Sequence, residues 1–563
     1  MRRALFAPTL SLTAALVAAA LHGCSSDSSS ADTTGEPGAG GSSGASGAGG
    51  ASAGAAGSSA AGSGGAVTGT VVAMGFDPGD EGKLGGTPDA AAAPTIVYPL
   101  PGALFPANLA PVELHLKLGA AGQSLARVAF HVDGALDLTL YAPCAPVTGG
   151  CVITVGADVV PKLAAASEIG NLTTTVRLSD KAGKSLGEAA PLDAQWTTTT
   201  LTGGLYYWTT IDGMATAIKR YDFDGDSSSP LVYWTQDLSP ALSDGTQKPC
   251  AGCHSVSRDG TKLALTFGGS DPSDFALIDV ASKKPIAVKN QDKNGYATMT
   301  TFSPDGERLV NSFRGKLYLR GADKTLAEMG TLLDSSPESK SHPFWAPDGK
   351  SFAYASWQPG QNGASASTNG DIERGAQVWI APSDGKKVTG APVLLVPRQT
   401  DRSAYYPAIS DDGKWVVFNQ SRCDGPPGVT GYGADPCDGY DDASARVLAI
   451  AAGGGAPIDL VRLNGDANFT NSWPRWAPDH GTFRKKPLYW VAFSSQRPYG
   501  LRLAGSTTGA GVPQLWFAAV TLDATTGDPS FSPVWLPGQD TDITHPTGNH
   551  VPQWTTKAVP IPQ

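Results

Sequence analysis

The sequence predicts an all-β protein, and three observations support that prediction. Short runs rich in Val, Leu, Tyr, Trp and Thr alternate with turns rich in Gly, Pro, Asn and Asp, as in chains built from short strands. Stretches with helical periodicity are nearly absent. In the second half of the chain one turn motif returns at intervals of about 43 to 67 residues, and such a period indicates repeated sheets.

The first residues carry the features of an export signal. Two arginines precede an apolar run, which ends in Leu21-His22-Gly23-Cys24, and this is the order of a secretory signal. The segment resembles the lipobox of bacterial lipoproteins, which implies removal of residues 1–23 and lipidation of Cys24. By the same resemblance, Ser25 after the cysteine favours the outer membrane, on its periplasmic or cell-surface side. The alternative is an ordinary signal peptide cleaved elsewhere.

Residues 24–67 are mostly Ser, Gly and Ala. Such a segment has too little apolar surface to offset the entropy of ordering, so we expect a flexible tether. No later stretch approaches the roughly 20 apolar residues of a spanning helix, and we therefore expect membrane attachment through the lipid alone. The net charge of −10 comes without a basic stripe, which argues against nucleic acid as a partner.

Residues 68–200 form the first predicted domain. Alternating runs such as Val112-Glu113-Leu114-His115-Leu116 and Thr173-Thr174-Thr175-Val176-Arg177-Leu178 are typical of strands with one buried face. A segment of about 130 residues with this pattern predicts an immunoglobulin-like β-sandwich.

Residues 201–563 contain the repeats. The five copies of the turn motif are Ser257-Arg258-Asp259-Gly260, Ser303-Pro304-Asp305-Gly306, Ala346-Pro347-Asp348-Gly349, Ser410-Asp411-Asp412-Gly413 and Ala477-Pro478-Asp479. The first four copies are each followed by a β-rich run. One four-stranded sheet per copy, with an Asp-Gly turn between its first two strands, explains the period.

This S-P-D-G-(K/E)-x-(L/I/F) repeat resembles that of the TolB-like six-bladed β-propellers, over roughly residues 203–560. The resemblance implies a sixth blade completed by Leu205-Tyr206-Tyr207-Trp208 and by Pro552-Gln553-Trp554. Closing the ring in this way removes exposed strand edges. The resemblance is specific for fold and weak for function, because propellers host peptidases, lyases and docking platforms.

Four cysteines form two close pairs in the sequence. Cys144 and Cys151 flank a short Gly-containing turn, and Cys423 and Cys437 bracket a Gly- and Pro-rich insert. We expect each pair to form a disulfide, since exported proteins fold in an oxidising compartment.

Cys250-Ala251-Gly252-Cys253-His254 matches the attachment signature of c-type haem. In that signature two thiols add to the haem vinyl groups and the histidine binds the iron. We therefore expect covalent haem c at Cys250 and Cys253, with His254 as proximal ligand. Two alternatives remain: a disulfide or dithiol with a structural His254, and a zinc site, although a second C-x-x-C is missing.

Aligning the repeats identifies the residues that we expect around this haem. Six residues before each turn aspartate, and at the matching place in the last blade, stand Cys253, Met299, His342, Tyr406, Trp473 and Val551. The family resemblance places them around one mouth of the central channel. Met299 or His342 would be the sixth iron ligand, and His550 is a third candidate. Each could equally serve packing or turn geometry, and Tyr406 and Trp473 could fill the channel or stack on haem.

Other candidate sites are weaker. Asp435, Asp438, Asp441 and Asp442 surround Cys437, but their spacing does not match an EF-hand loop, so a solvated acidic loop is favoured. The Gly-x-Ser-x-Gly match at 40–44 lies in the tether and indicates no nucleophile.

The sequence thus predicts an envelope lipoprotein whose propeller carries covalent haem c for electron transfer or for docking a redox partner. It leaves enzymatic activity undecided and favours a protein that is not an enzyme. The alternative is a haem-free propeller scaffold that binds another envelope protein. A weaker alternative is an enzyme acting on carbohydrate or peptide in the propeller mouth.

Overall fold

The computed structural model describes residues 66–211, 215–225, 230–235, 238, 251–267, 274–289, 299–358, 375–423, 442–465, 469–503, 512–523, 527–542 and 547–561. The helices among them are α1 (Val160–Ser167), α2 (Val461–Asn464) and two 3₁₀ helices at Pro78–Leu84 and Ala90–Ala92. Within these ranges, none of the helices has the length and apolar character that crossing a membrane requires.

The N-terminal domain is a sandwich of two mainly antiparallel sheets. Its strands are β1 (Val67–Val72), β2 (Thr95–Tyr98), β3 (Ala103–Pro106), β4 (Val112–Lys117), β5 (Leu125–Val132), β6 (Leu136–Pro143), β7 (Ala145–Val147), β8 (Gly150–Val155), β9 (Thr173–Ser179), β10 (Gly187–Glu188) and β11 (Ala194–Thr197). One sheet has the order β1-β6-β5-β9-β10 and the other β2-β4-β8-β7, while β3 and β11 pair in parallel.

Side chains that alternate along the strands fill the space between the two sheets. Leu114 from one sheet and Val128 and Phe130 from the other are buried in one core, because alternate residues of a strand point to the same face. Trp196 of β11 is fully buried in this core and stacks on Phe105 at 5.1 Å between ring centroids. The two runs that predicted strands are β4 and β9.

The strands of the second domain form six blades. They are β12 (Gly204–Ile211), β13 (Ala215–Asp222), β14 (Leu231–Thr235), β15 (Ala251–Val256), β16 (Lys262–Phe267), β17 (Asp274–Asp279), β18 (Lys284–Lys289), β19 (Thr300–Phe302), β20 (Arg308–Phe313), β21 (Lys316–Gly321), β22 (Glu328–Leu333), β23 (Ser339–Trp345), β24 (Ser351–Trp357), β25 (Gln377–Pro382), β26 (Val393–Val396), β27 (Arg402–Ile409), β28 (Trp415–Arg422), β29 (Arg446–Ala451), β30 (Ile458–Asp459), β31 (Ser472–Trp476), β32 (Gly481–Phe483), β33 (Lys486–Ser495), β34 (Gln514–Val520), β35 (Val534–Trp535) and β36 (Asn549–Trp554).

Each blade is a sheet of four or five strands, and the ring is closed by strands from distant parts of the chain. Blade 1 has the order β14-β13-β12-β36, and Leu205 pairs with Trp554. Blades 2 to 5 each comprise four consecutive strands, and blade 6 comprises β31, β33, β34 and β35 with β32 added to β33. This confirms the predicted all-β fold, an immunoglobulin-like sandwich followed by a six-bladed propeller.

The repeated motif forms the turn from the innermost strand of a blade to the next strand. In the first, second and fourth copies the serine hydroxyl donates a hydrogen bond to the aspartate two residues later, as Ser257 does to Asp259. The aspartate also accepts a hydrogen bond from the backbone N–H of the residue that follows the glycine. The glycine has φ near +70°, for example 73° at Gly413, a conformation that disfavours other residues.

The sandwich packs directly against the propeller through polar and aromatic contacts. Glu113 of β4 accepts two hydrogen bonds from the Arg502 guanidinium, both at 2.7 Å, and a third from the Tyr499 hydroxyl at 2.9 Å. At a second point Arg484 donates to the backbone of Ser167 and to the side chain of Gln195. Buried apolar residues of both domains form one continuous core.

Candidate functional site

The inner strands are irregular where the sequence alignment predicted a channel-facing residue. The register of the pairing between β23 and β24 shifts between Ser341 and Phe344, and the same irregularity recurs in β15, β27 and β31. At this position His342, Tyr406, Trp473 and Val551 all have positive φ, between 50° and 56°. Such backbone is costly for residues with a Cβ, so the fold around the channel holds it in place.

Three of these residues form an aromatic plug, defined as His342, Tyr406 and Trp473. The rings of Tyr406 and Trp473 stack with centroids 3.8 Å apart, and His342 meets the Tyr406 ring edge-on at 4.6 Å. All three side chains are buried. Edge-on and stacked pairs of this kind are the favoured arrangements of aromatic rings.

Met299 and Val551 pack against the plug. The five residues belong to five of the six inner-strand positions, so their common cluster closes the channel at this level. The prediction that these positions ring the channel therefore fits the geometry of the described residues. Cys253 occupies the corresponding place on β15 and is half-buried.

His254 is buried and electrically neutral. Burial lowers the pKa of its imidazole to about 3. The nearby backbone of Tyr206 opposes this lowering, and the positive charge of Arg475 adds to it. Neither ring nitrogen makes a hydrogen bond to the described residues. A neutral imidazole with a free nitrogen is the form that binds iron.

Cys253 and His254 are the two described residues of the predicted haem attachment site, and Cys250 lies outside the described residues. Both lie on the inner strand β15, where the pairing with β16 shifts register between Ala251 and His254. If haem were bound, Cys250 and Cys253 would hold it through their thiols and His254 would supply a ligand to the iron.

His550, the third candidate distal ligand, lies on the inner strand β36. It is buried, and its ring centroid is 5.9 Å from that of Trp208 in the same blade. Burial lowers the pKa of His550 to about 3. The neighbouring Val551 contacts the plug.

On the turn side of the plug, the channel contains a cavity of about 80 Å³. Residues from all six inner strands or their turns line it. Arg475 borders both the cavity and the plug, because it lines the cavity and its guanidinium lies 5.9 Å from the Trp473 ring centroid. Phe344 lines the cavity next to it. Arg258 and Asp411 also line the cavity.

The cavity lining carries a sequence signal that the motif analysis missed. The second position of the turn motif lines the cavity in all five copies, as Arg258, Pro304, Pro347, Asp411 and Pro478. Two copies thus replace proline with a charged residue. Arg475 is likewise the sole charged residue at its repeat position, where the other motif copies have Ser255, Thr301, Phe344 and Ala408.

The predicted disulfide between Cys144 and Cys151 is present. Cys423 is disulfide-bonded, whereas Cys437, its predicted partner, lies outside the described residues. Of the acidic cluster in the same insert, Asp442 alone is described, and it accepts hydrogen bonds from the backbone and hydroxyl of Ser444. Across the described ranges, no three His, Cys, Asp or Glu side chains come together as a metal site would require.

Comparisons with known proteins concern the fold. No protein-family model matches this chain, and no curated protein matches it in sequence. Solved structures do resemble it. A protein described as TolB from Agrobacterium tumefaciens is 14% identical, with a TM-score of 0.33, over 62% of this chain and 96% of its own.

Two further structures resemble it to a similar degree. Hydrazine synthase of Kuenenia stuttgartiensis is 14% identical, with a TM-score of 0.30, over 50% of this chain and 74% of its own. An oligogalacturonate lyase in complex with manganese is 14% identical, with a TM-score of 0.30, over 58% of this chain and 81% of its own. The propeller assignment rests on the sheet order given above.

Proposed function

We propose that this chain is a lipid-anchored protein of the bacterial cell envelope whose propeller binds part of an envelope partner at the turn-side end of its channel. The main observation behind the proposal is that the channel is closed by the plug on one side and contains a cavity on the other. The plug fills the channel at the level of the inner-strand bulges, while a cavity lined by all six inner strands remains on the turn side. A blind recess with a few convergent polar groups is the usual form of a binding site.

The proposed location has separate support. The N-terminal segment resembles a lipoprotein signal, and Cys24 is the residue that lipidation would modify. The Cys144–Cys151 disulfide is of the kind that persists in oxidising compartments outside the cytosol.

Site-specific photo-crosslinking in cells of the natural host tests this proposal. We expect a photoreactive residue at Pro347, in a turn that lines the cavity, to form a protein adduct. The matched control carries the same residue at Met329 on the outer strand β22, which is exposed and remote from the channel, and should form none. Adducts at both positions or at neither would contradict docking at this end of the channel.

A second candidate function is carriage of covalent haem c for electron transfer. It is supported by the C-x-x-C-H motif and by the buried, neutral His254, whose ring nitrogens make no hydrogen bond to the described residues. Here His254 would bind the iron, Cys250 and Cys253 would hold the group, and the bound haem would supply one-electron chemistry.

This candidate is tested by expression in a host with haem-attachment machinery. A c-type band in alkaline pyridine, with a haem-sized mass on the peptide containing Cys250 and Cys253, would support it. The C253S variant should lose both signals, while the C144S/C151S control keeps them. A colourless wild-type protein would exclude the haem function and leave the binding function standing.

A further inference from the structure

We propose that Arg475 forms an anion site in the central channel that takes a single carboxylate group. This inference rests on the proposed use of the channel for binding, and it names the chemistry of what binds there. Arg475 lies on the inner strand β31 and is 8% exposed.

The guanidinium of Arg475 is only partly satisfied by the protein. Its Nη1 donates to the carbonyl oxygen of Pro474 at 2.9 Å and, at 3.4 Å, to that of Tyr406. The Nε atom is buried and makes no hydrogen bond to the described residues. The rings of Phe344 and Trp473 lie 5.5 and 5.9 Å from the guanidinium carbon, so the charge rests on aromatic faces.

No carboxylate of the described residues compensates this charge. Burial lowers the pKa of Arg475 to about 10, and Tyr406 is the sole group that opposes the shift. The side chain is therefore cationic at neutral pH. A buried charge without an ionic partner is costly, and a bound anion would remove that cost.

Arg258 provides the internal comparison. It lines the same cavity and donates to the Pro478 carbonyl oxygen at 2.7 Å. Burial lowers its pKa as well, but the carboxylates of Asp411 and Asp479 oppose the shift. Of these two arginines, Arg258 has its charge compensated by the protein and Arg475 does not.

The volume of the cavity and the charge of the other residues that line it limit which anions can bind. A volume of about 80 Å³ holds a few water molecules, which suits a carboxylate group and excludes a sugar ring or a nucleotide. The carboxylate of Asp411 also lines the cavity and disfavours a dianion such as phosphate. Its Oδ1 is buried without a hydrogen-bond partner among the described residues, so it can accept from an N–H or O–H beside the bound carboxylate.

Two kinds of ligand have a carboxylate next to a hydrogen-bond donor: the C-terminus of a polypeptide and a small amino or hydroxy acid. The two sources are distinguished by titrating the full chain with trialanine, trialanine amide, sodium acetate and acetamide. Trp345, Trp473 and Trp476 border the site, so tryptophan fluorescence reports occupancy. We expect saturable changes with trialanine and acetate and none with the two amides, which lack a carboxylate.

The relative affinities identify the source. Binding of trialanine that is tighter than that of acetate, by roughly tenfold as expected for one added hydrogen bond and peptide contacts, would support a polypeptide end. Equal binding would support a small acid. Either result supports the site. No saturable response to acetate or trialanine, or an equal response to acetamide, would overturn it, and this comparison requires no variant.

Variants then assign the site to Arg475. R475Q should weaken acetate binding roughly tenfold or more, because a charge-assisted hydrogen bond is lost. R475K keeps the charge without the planar fork and should give an intermediate loss. The matched control R446Q, at an arginine that pairs with Asp459 and is not part of the cavity lining, should change the affinity by less than about threefold. Wild-type affinity in a folded R475Q would overturn the assignment.

The crosslinking experiment at Pro347 separates this inference from the proposed function. Acetate binding without any adduct would uphold the anion site and reject the envelope partner. An adduct that persists undiminished in R475Q would uphold the partner and reject the carboxylate as the group recognised.

Discussion

Buried histidine side chains connect the stability of this protein to pH. His550 is the clearest case, because burial holds its pKa at about 3, against about 6.5 in an unfolded chain. The folded state therefore keeps the imidazole neutral while the unfolded state takes up a proton. The contribution of His550 to stability is complete above pH 6.5 and is lost as the pH falls towards 3.

We predict that the H550Q variant flattens the pH dependence of the free energy of unfolding. Between pH 7 and pH 4.5 the wild type should lose about 2–3 kcal/mol more than the variant, since each pKa unit corresponds to about 1.4 kcal/mol. Urea denaturation at the two pH values gives this difference. An equal loss in both proteins would contradict the burial argument.

His131 supplies a control of opposite sign. It is exposed on β5, and the hydrogen bonds that its ring donates to Asp137 and Asp133 raise its pKa. Its contribution is therefore present below its unfolded pKa and declines as the pH rises through the folded value. The H131N variant should leave the acid-side loss of stability in place.

At the level of single residues, the sequence allowed prediction of those that belong to a clear motif or spacing. It did not allow prediction of those whose importance depends on their neighbours in the folded protein. The Cys144–Cys151 disulfide follows from close spacing. Arg475 could not be predicted, because its significance depends on the lack of an ionic partner among the described residues that surround it. That property belongs to the packed channel and not to any stretch of sequence.

The turn between the first two strands of a blade is the element that the sequence encodes most completely. Its glycine requires positive φ, and the serine and aspartate hold the turn with side-chain hydrogen bonds. In blade 6 the glycine is replaced by His480, and the chain inserts the short strand β32 before β33. The departure from the motif therefore coincides with a departure in structure.

We predict that G413A lowers the free energy of unfolding by about 1–2 kcal/mol, the usual cost of a Cβ in left-handed backbone. No atom lies within 4 Å of the added Cβ at this position, so the effect isolates backbone strain from steric conflict. The matched control is G453A, where the space is equally open and φ is not positive. That control should be neutral or slightly stabilising in urea denaturation. Equal destabilisation by both would refute the conformational explanation.

Helix α1 is the element that sequence patterns failed to reveal. It spans eight residues, Val160–Ser167, which is too short for apolar periodicity to distinguish it from a strand or loop. Tertiary packing stabilises it, because Val160, Leu163 and Ala164 are buried in the sandwich core.

For the molecule as a whole, the contact between sandwich and propeller is the feature least accessible from sequence. Glu113 and Arg502 are 389 residues apart, and nothing local marks them as partners. The Glu113 carboxylate is partly buried, which would raise its pKa, but hydrogen bonds from His115, Arg502 and Tyr499 lower it to about 2. The carboxylate is thus ionised in the folded protein throughout the physiological pH range.

We predict that E113Q weakens the attachment of the sandwich to the propeller by about 1–3 kcal/mol, because Arg502 loses its ionic partner. Calorimetry should show one unfolding transition in the wild type and two separated transitions in E113Q. The same weakening should appear in the wild type as the pH falls from about 4.5 towards 2, where Glu113 becomes protonated. A matched control is D137N, at an exposed side chain of the sandwich, which should retain one transition.

The pairing of β12 with β36 has a consequence for biogenesis. The two strands are separated by more than three hundred residues, yet they share one sheet, so blade 1 stays incomplete until residues 549–554 have been synthesised. During that interval β12 presents an unpaired edge, which is prone to pair with other chains. A premature stop codon before Asn549 would therefore leave the whole ring open and expose it to proteolysis, instead of merely shortening one blade.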